Sequence, residues 1–168
     1  ILFVGGFSHT PNIDAVKWFV EEVYPKIKEK ENIPFYVAGS NPTEEILSYN
    51  GNGIDVKGFV SDEELEALYN NCKLVVVPLR YGAGVKGKVI EAIYNGVPIV
   101  TTSVGAEGIP EAESILEIYD TPSEFAEAVV NLYHDDKELE AVSEKMQKYV
   151  KKHNSVDAAW KVVGPDFS

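Results

Sequence analysis

The sequence has few of the residues that would link it to common classes of partner. Its 168 residues include one cysteine, Cys72, which excludes an internal disulfide and a cysteine metal cluster. Basic residues are scarce as well, since 15 Lys and Arg stand against 27 Asp and Glu and give a net charge of −12. Nucleic acids and anionic membrane surfaces require a basic surface, so we expect neither as a partner.

Long hydrophobic runs are also missing. No apolar stretch approaches the roughly 20 residues that a membrane-spanning helix needs, and no signal peptide is visible. We therefore expect no transmembrane segment and a cytoplasmic location. Apolar residues still make up 45% of the chain, enough for one domain with a good core. The first residues belong to an apolar run without an initiator Met, so we expect a piece of a longer protein.

Apolar strand patterns alternate with amphipathic helix patterns along the chain. This alternation predicts a doubly wound, Rossmann-like α/β sheet of about six parallel strands. Strands are predicted at residues 1–5, 33–38, 54–56, 74–77, 97–102 and 115–118. Helices are predicted over 12–27 with Asn12 as the cap, after Thr43, after the capping box of Ser61 and Glu64, over 88–95, after Thr121, near Asp135 and over 156–163.

The most informative stretch follows the fourth predicted strand. Residues 80–88 place three glycines among three cations and then continue directly into a helical pattern. A helix start offers unpaired N–H groups and a partial positive charge, so a glycine loop leading into it can bind an anion such as phosphate. Glu91 lies one turn further along. A carboxylate there would repel phosphate, so we expect it to face the hydroxyl groups of a ribose.

The run GAGVKGKVIEAIYNGVPIVTT at residues 82–102 resembles the signature of the nucleotide-sugar-binding half of retaining GT-B-fold glycosyltransferases, of the group 1 or family 4 type. In that family two glutamates separated by seven residues precede Ala-x-x-x-Gly-x-Pro. Glu91, Ala92, Gly96 and Pro98 match, whereas Ala83 replaces the first glutamate, so no carboxylate contact to the sugar ring is expected from that position. A subset of the family resembles this chain in Lys88 and in its opening residues, which are Phe3, Val4, Gly5 and the pair Pro11 and Asn12. The likeness covers residues 1–135.

The resemblance implies a function as the donor-binding domain of a glycosyltransferase. Residues 1–168 would form the C-terminal half of a GT-B enzyme and bind a nucleoside diphosphate sugar, and the acceptor-binding N-terminal domain would lie upstream. Lys88 and Glu91 would be the catalytic residues, the first offsetting diphosphate charge and the second binding ribose. No metal and no cofactor are expected. The predicted donor-binding residues are Gly6, Phe7, Gly39, Phe59, Val60, Arg80, Gly84, Lys86, Gly87, Lys88, Val89 and Glu91.

Several positions allow two interpretations. Most members of the family carry an Arg after the first strand, where this chain has Gly6, Phe7 and Ser8, so backbone N–H groups would take its place. His9 is either a solvent-facing loop residue or a contact to a sugar. Phe59 lies either near the nucleotide base or in the core.

Three further positions carry structural expectations. Asp135 and Asp136 have the residue types of a metal site, but acidic residues are favoured at a helix start in any case. Trp160, on the predicted final helix, would pack against the other domain.

Three alternative functions remain open on sequence alone. A nucleotide-sugar epimerase or hydrolase could be built on the same half-domain, as could a non-catalytic nucleotide-binding module. A dinucleotide-binding domain is disfavoured, because the turn at residues 5–10 lacks the Gly-x-Gly-x-x-Gly spacing that a pyrophosphate requires.

Overall fold

The computed structural model describes residues 1–153, which contain a parallel six-stranded sheet with the order β3-β2-β1-β4-β5-β6. The predicted doubly wound sheet is therefore confirmed. The order reverses direction between β1 and β4, and ligands of such sheets bind at that switch point. The strands are β1 (Leu2–Val4), β2 (Phe35–Ala38), β3 (Ile54–Gly58), β4 (Val75–Val77), β5 (Ile99–Thr101) and β6 (Glu117–Ile118).

The central strands are apolar on both faces, as the continuous apolar runs predicted. Every residue of β1, β4 and β5 is buried. Strand β1 pairs with β2 through three residues, Leu2 opposite Tyr36 through Val4 opposite Ala38. Most strands are shorter than predicted, because the flanking apolar residues already belong to the turns.

Helices cover the sheet and complete the alternation. They are α1 (Thr10–Trp18), α2 (Tyr24–Lys30), α3 (Glu44–Ser48), α4 (Asp62–Asn71), α5 (Gly87–Tyr94), α6 (Ser103–Ala106), α7 (Pro122–Tyr133) and α8 (Asp136–Lys152). The predicted helix over 12–27 is split by a π-helical turn, Phe19–Val23. Pro25 follows this turn at the start of α2, where it has no N–H to continue the hydrogen-bond ladder.

The start of α1 differs from the prediction in a way that matters for the site. The N-cap is His9 rather than Asn12, and Pro11 occupies the first turn. Asn12 is wrong as a cap because its side chain turns inward, where it is 2% exposed. A polar side chain this deeply buried needs hydrogen-bond partners, and its partners belong to the site described below.

Four of the other predicted helix starts are confirmed by their caps. Ser61 and Glu64 form a reciprocal capping box at α4, and Thr43 and Thr121 cap α3 and α7. Asp135 caps α8 by accepting from the Glu138 N–H at 3.0 Å. The expected final helix with Trp160 lies outside the described residues.

Two further properties concern the chain as a whole. Cys72 ends α4, and its partial burial raises the pKa of its thiol to about 11. Within residues 1–153, no helix combines the length and apolar character needed to cross a bilayer.

Candidate functional site

The loops after four strands meet at the carboxyl edge of the sheet. The Gly5 N–H donates to Ala38 O and the Phe7 N–H donates to Ser40 O, both at 2.9 Å, which joins the loops after β1 and β2. The Thr102 hydroxyl donates to Leu79 O and joins the loops after β4 and β5. The predicted gathering of glycine-rich turns along one edge is therefore confirmed.

A cavity of about 420 Å³ opens at the switch point, between the start of α1 and the start of α5. It combines backbone from the glycine loop with two ammonium groups. Its lining residues are His9, Pro11, Asn12, Leu79, Gly82, Ala83, Val85, Lys86, Gly87 and Lys88.

Lys88 is the most unusual residue of this cavity, because it is a lysine with only 6% of its surface exposed. Its Nζ donates to Asn12 Oδ1 at 2.7 Å and lies 5.6 Å from the centroid of the Phe3 ring. Asn12 in turn donates from Nδ2 to Gly6 O at 2.8 Å. The ammonium is thus held by a neutral amide, which fixes its position without neutralising its charge.

Burial and a neighbouring positive charge both disfavour the protonated form of Lys88. Burial, and to a smaller degree the neighbouring Lys86 ammonium, lowers the pKa of Lys88 to about 8. Burial also lowers the pKa of Lys86, while the Glu107 carboxylate opposes this change. A buried cation without a carboxylate is costly, so an anion in the cavity would be strongly favoured.

The glycine loop is held by hydrogen bonds from one of its own side chains, that of Lys86. Lys86 Nζ donates to Gly82 O at 3.0 Å and also to Gly84 O. Gly82 and Gly84 have φ angles of 115° and 87°, a backbone conformation that residues other than glycine rarely adopt. The Gly84 N–H donates to Glu107 Oε1 at 2.7 Å.

The first turn of α5 forms the inner wall of the cavity. Lys86 is the N-cap, and Gly87 and Lys88 are the first two helical residues, whose N–H groups have no acceptor within the helix. The Val89 N–H donates to Lys86 O at 3.1 Å, and its side chain is fully buried. Val89 therefore belongs to the core, and its backbone N–H is already bonded.

Arg80 does not belong to the cavity lining. Its guanidinium donates from Nε to Asp14 Oδ2 at 2.9 Å and from Nη2 to Asp14 Oδ1 at 2.6 Å. The paired carboxylate raises the pKa of Arg80. Arg80 is thus paired with a carboxylate on helix α1, whereas Lys86 and Lys88 line the cavity.

Two predicted residues near β1 have packing roles. Phe7 is 3% exposed beside Phe3, and its N–H is bonded to Ser40 O, so the expectation that this N–H replaces an arginine does not fit. Gly39 lies so close to the β1 turn that a Cβ there would approach Gly5 O to 1.8 Å. Gly6, by contrast, contributes its carbonyl to the Asn12 contact.

Phe59 and Val60 follow β3, at the edge of the sheet furthest from β6. Phe59 is 77% exposed, so the interpretation as a core residue is wrong. Exposure leaves open the predicted position near a nucleotide base. His9 is likewise exposed, and it lines the cavity, which agrees with both of its interpretations.

Glu91 is separated from the cavity lining. It is half-buried on the side of α5 that faces α4, and burial, followed by the Asp62 carboxylate, raises its pKa. Lys88 and Glu91 therefore face different surroundings, although they are three residues apart. The role of Glu91 toward ribose stays a prediction.

Sequence reasoning missed two residues of the site. Asn12 appeared as a helix cap, and the signal for its inward role was the Pro-Asn pair beside an apolar helical face. Glu107 had no signal of its own, because its contact with Gly84 joins loops 23 residues apart.

Other parts of the described chain are poorer candidates. A second concavity of about 300 Å³ lies before β3, at the opposite edge of the sheet, beside Lys28. Lys28 Nζ there already donates to Asn52 O at 2.7 Å in an exposed position. No cluster of three or more potential metal ligands occurs among residues 1–153.

Comparisons with solved structures agree with the fold. A C-terminal domain of a glycosyl transferase group 1 family protein, LpcC from Francisella tularensis, superposes with a TM-score of 0.69 at 13% identity, over 90% of this chain and 84% of that one. TarM superposes with a TM-score of 0.75 at 16% identity, over 97% of this chain and 34% of TarM. These likenesses show a shared GT-B-type domain fold.

Sequence comparison is more specific. An uncharacterized 44.6 kDa protein in the cps region of Klebsiella pneumoniae is 37% identical over 116 residues, which are 64% of this chain and 30% of that protein. The chain therefore spans less than a third of the length of this relative. The family model described as Glycosyl transferases group 1 matches residues 1–135, and the chain belongs to that family.

Proposed function

We propose that this chain is the donor-binding domain of a glycosyltransferase that moves a sugar from a nucleoside diphosphate sugar to an acceptor with retention. One observation carries the proposal: the Lys88 ammonium is buried beside a cavity and is held by a neutral amide. A cation kept in this state favours an anionic ligand. Family membership makes the diphosphate of a sugar donor the fitting anion.

The donor would extend along the carboxyl edge of the sheet from this cavity. Its diphosphate would lie at Lys88 and at the N–H groups of Gly87 and Lys88, where the helix start adds a partial positive charge. Glu91, one turn deeper on the α4 side, would accept hydrogen bonds from ribose hydroxyls. Phe59, exposed after β3, would lie toward the base.

The chemical contribution of the domain would be electrostatic. When the bond between the sugar and the diphosphate breaks, negative charge develops on the leaving phosphate oxygen. Lys88 stands fixed before the reaction begins, so it would stabilise that charge without first reorganising. The acceptor would be bound by a further domain, because the chain corresponds to 30% of its Klebsiella pneumoniae relative.

A thermal-shift screen tests the proposal directly. The 168-residue chain is mixed with UDP-, GDP-, ADP- and TDP-sugars and with the corresponding bare sugars. We expect one nucleotide class to raise the melting temperature, because a ligand that binds only the folded state stabilises it by mass action. No shift with any nucleotide, up to millimolar concentration, would contradict the proposal. Equal shifts with inorganic phosphate alone would reduce the site to a simple anion site.

A further inference from the structure

The loop after β5 brings a carboxylate to the glycine loop after β4. Glu107 Oε1 accepts from the Gly84 N–H at 2.7 Å. The neighbours of Gly84 on both sides, Ala83 and Val85, line the cavity. Glu107 itself is exposed, and its carboxylate opposes the burial that lowers the pKa of Lys86, an ammonium of the cavity lining, so Glu107 lies just outside that lining.

Backbone packing fixes the position of this carboxylate. Gly108, the next residue, has a φ angle of 79°, and a Cβ there would approach Val85 Cγ2 to 2.4 Å. The two loops therefore touch at two adjacent points, Glu107 on Gly84 and Gly108 on Val85. Such contact holds the carboxylate against the glycine loop and limits its movement.

The charge of Glu107 determines which part of a donor it suits. The glycine loop at residues 80–88 contains no acidic residue, so Glu107 adds a sign of charge that the loop lacks. A carboxylate only accepts hydrogen bonds and repels phosphate, whereas sugar hydroxyl groups are donors. The diphosphate is attracted inward to Lys88, which leaves the hydroxyl-bearing end of the molecule near Glu107.

We propose that Glu107 is a specificity-determining residue whose carboxylate accepts hydrogen bonds from hydroxyl groups of the transferred sugar. This inference rests on the proposed function and adds the residue that recognises the sugar. One carboxylate oxygen stays bonded to Gly84 and orients the group. The second oxygen faces the sugar and favours donors that present hydroxyl groups there.

The test separates the sugar from the diphosphate. Isothermal titration measures Kd for UDP, GDP, ADP and TDP and for UDP-glucose, GDP-mannose, ADP-glucose and TDP-glucose, on the parent chain and on Glu107→Ala and Glu107→Gln. We expect Glu107→Ala to weaken the affinity for the sugar nucleotide by roughly tenfold and to change the affinity for the corresponding nucleoside diphosphate by less than about twofold. Glu107→Gln should fall between parent and Ala, because its amide oxygen still accepts from Gly84. Glu113→Gln, an exposed change in the following 3-10 turn, is the matched control and should leave both constants unchanged.

Three results would overturn the inference. Equal weakening of diphosphate and sugar nucleotide would mean that Glu107 only supports the glycine loop. Tighter diphosphate binding by Glu107→Gln would make the carboxylate an internal competitor of phosphate. Unchanged constants for both ligands would leave Glu107 without a role in recognition. If the parent binds no diphosphate at all, the proposed function fails first and the inference falls with it.

Discussion

Lys88 and Asn12 lie 76 residues apart in the sequence, yet Lys88 Nζ donates to Asn12 Oδ1 at 2.7 Å in a buried position. This hydrogen bond spans the switch point of the sheet, because Asn12 belongs to the helix after β1 and Lys88 to the helix after β4. The relationship joins the two halves of the fold at the place where a ligand is expected. It also explains how a lysine ammonium can be buried and still carry charge toward an anion.

The first prediction concerns Asn12 as the holder of Lys88. Asn12→Asp would place a carboxylate beside the ammonium and remove the donor to Gly6 O, so an incoming diphosphate would meet an already neutralised cation. We expect nucleoside diphosphate binding to weaken by about tenfold or more in isothermal titration. The bare nucleoside should bind as it does to the parent. Diphosphate affinity equal to the parent would show that Asn12 does not control the charge of Lys88.

The second prediction concerns pH. The pKa of Lys88 is about 8 in the folded chain against an ordinary value of 10.5. Between these two values the unfolded chain binds more protons, so this lysine makes the free energy of unfolding rise as pH increases from about 8. Urea unfolding of the parent and of Lys88→Met from pH 7 to 10.5 checks this. The difference between them should change across that interval, and parallel curves would contradict the lowered pKa.

The same titration should affect ligand binding in the opposite direction. A diphosphate favours the protonated amine, so its affinity should fall as pH rises above about 8, with uptake of a proton on binding. Lys88→Arg supplies the control, because a guanidinium does not titrate in this range. A parent affinity that stays flat to pH 9.5 would show that Lys88 takes no part in binding.

The third prediction separates Arg80 from the two lysines. Its bidentate pair with Asp14 is about half exposed on the Arg80 side, and pairs of this kind contribute about 1 kcal/mol or less. Arg80→Met should lower the free energy of unfolding by about that amount and change the diphosphate Kd by less than about threefold. A larger loss of diphosphate affinity would show that Arg80 contributes to the phosphate site, as the sequence predicts.

The fourth prediction concerns Glu91. Burial and the Asp62 carboxylate raise its pKa, so its ionised form disfavours the folded state at neutral pH. Glu91→Gln should therefore raise the melting temperature. It should also weaken the affinities for nucleoside and nucleoside diphosphate by similar factors, because both ligands contain the ribose. Glu66→Gln, an exposed change on α4, is the control. Unchanged affinity together with a raised melting temperature would make Glu91 a purely structural residue.

Features set by residues close together in the sequence could be predicted, whereas contacts between residues far apart in the sequence could not. The sheet, the glycine loop and the helix start carrying Lys88 were predictable, because apolar periodicity and glycine positions act over a few residues. The ion pair of Arg80 was not predictable, because its partner Asp14 lies 66 residues away. Asn12 was misread because a cap and an inward polar residue use the same side-chain chemistry, and only tertiary packing decides between them.

The diphosphate affinity of Lys88→Met tests whether the buried Lys88 ammonium binds the diphosphate. Methionine keeps most of the length of the side chain and removes the buried charge, so the fold should be retained. Lys73→Met is matched in charge and lies at the opposite edge of the sheet, where Lys73 pairs with Asp136 at 3.7 Å. Isothermal titration is run with the nucleoside diphosphate that stabilises the parent most. We expect Lys88→Met to weaken diphosphate binding by about tenfold or more. The affinity of Lys88→Met for the bare nucleoside, and that of the Lys73→Met control for the diphosphate, should stay within about twofold of the parent values. Diphosphate binding by a folded Lys88→Met at parent affinity would contradict the assignment of Lys88 to the diphosphate site.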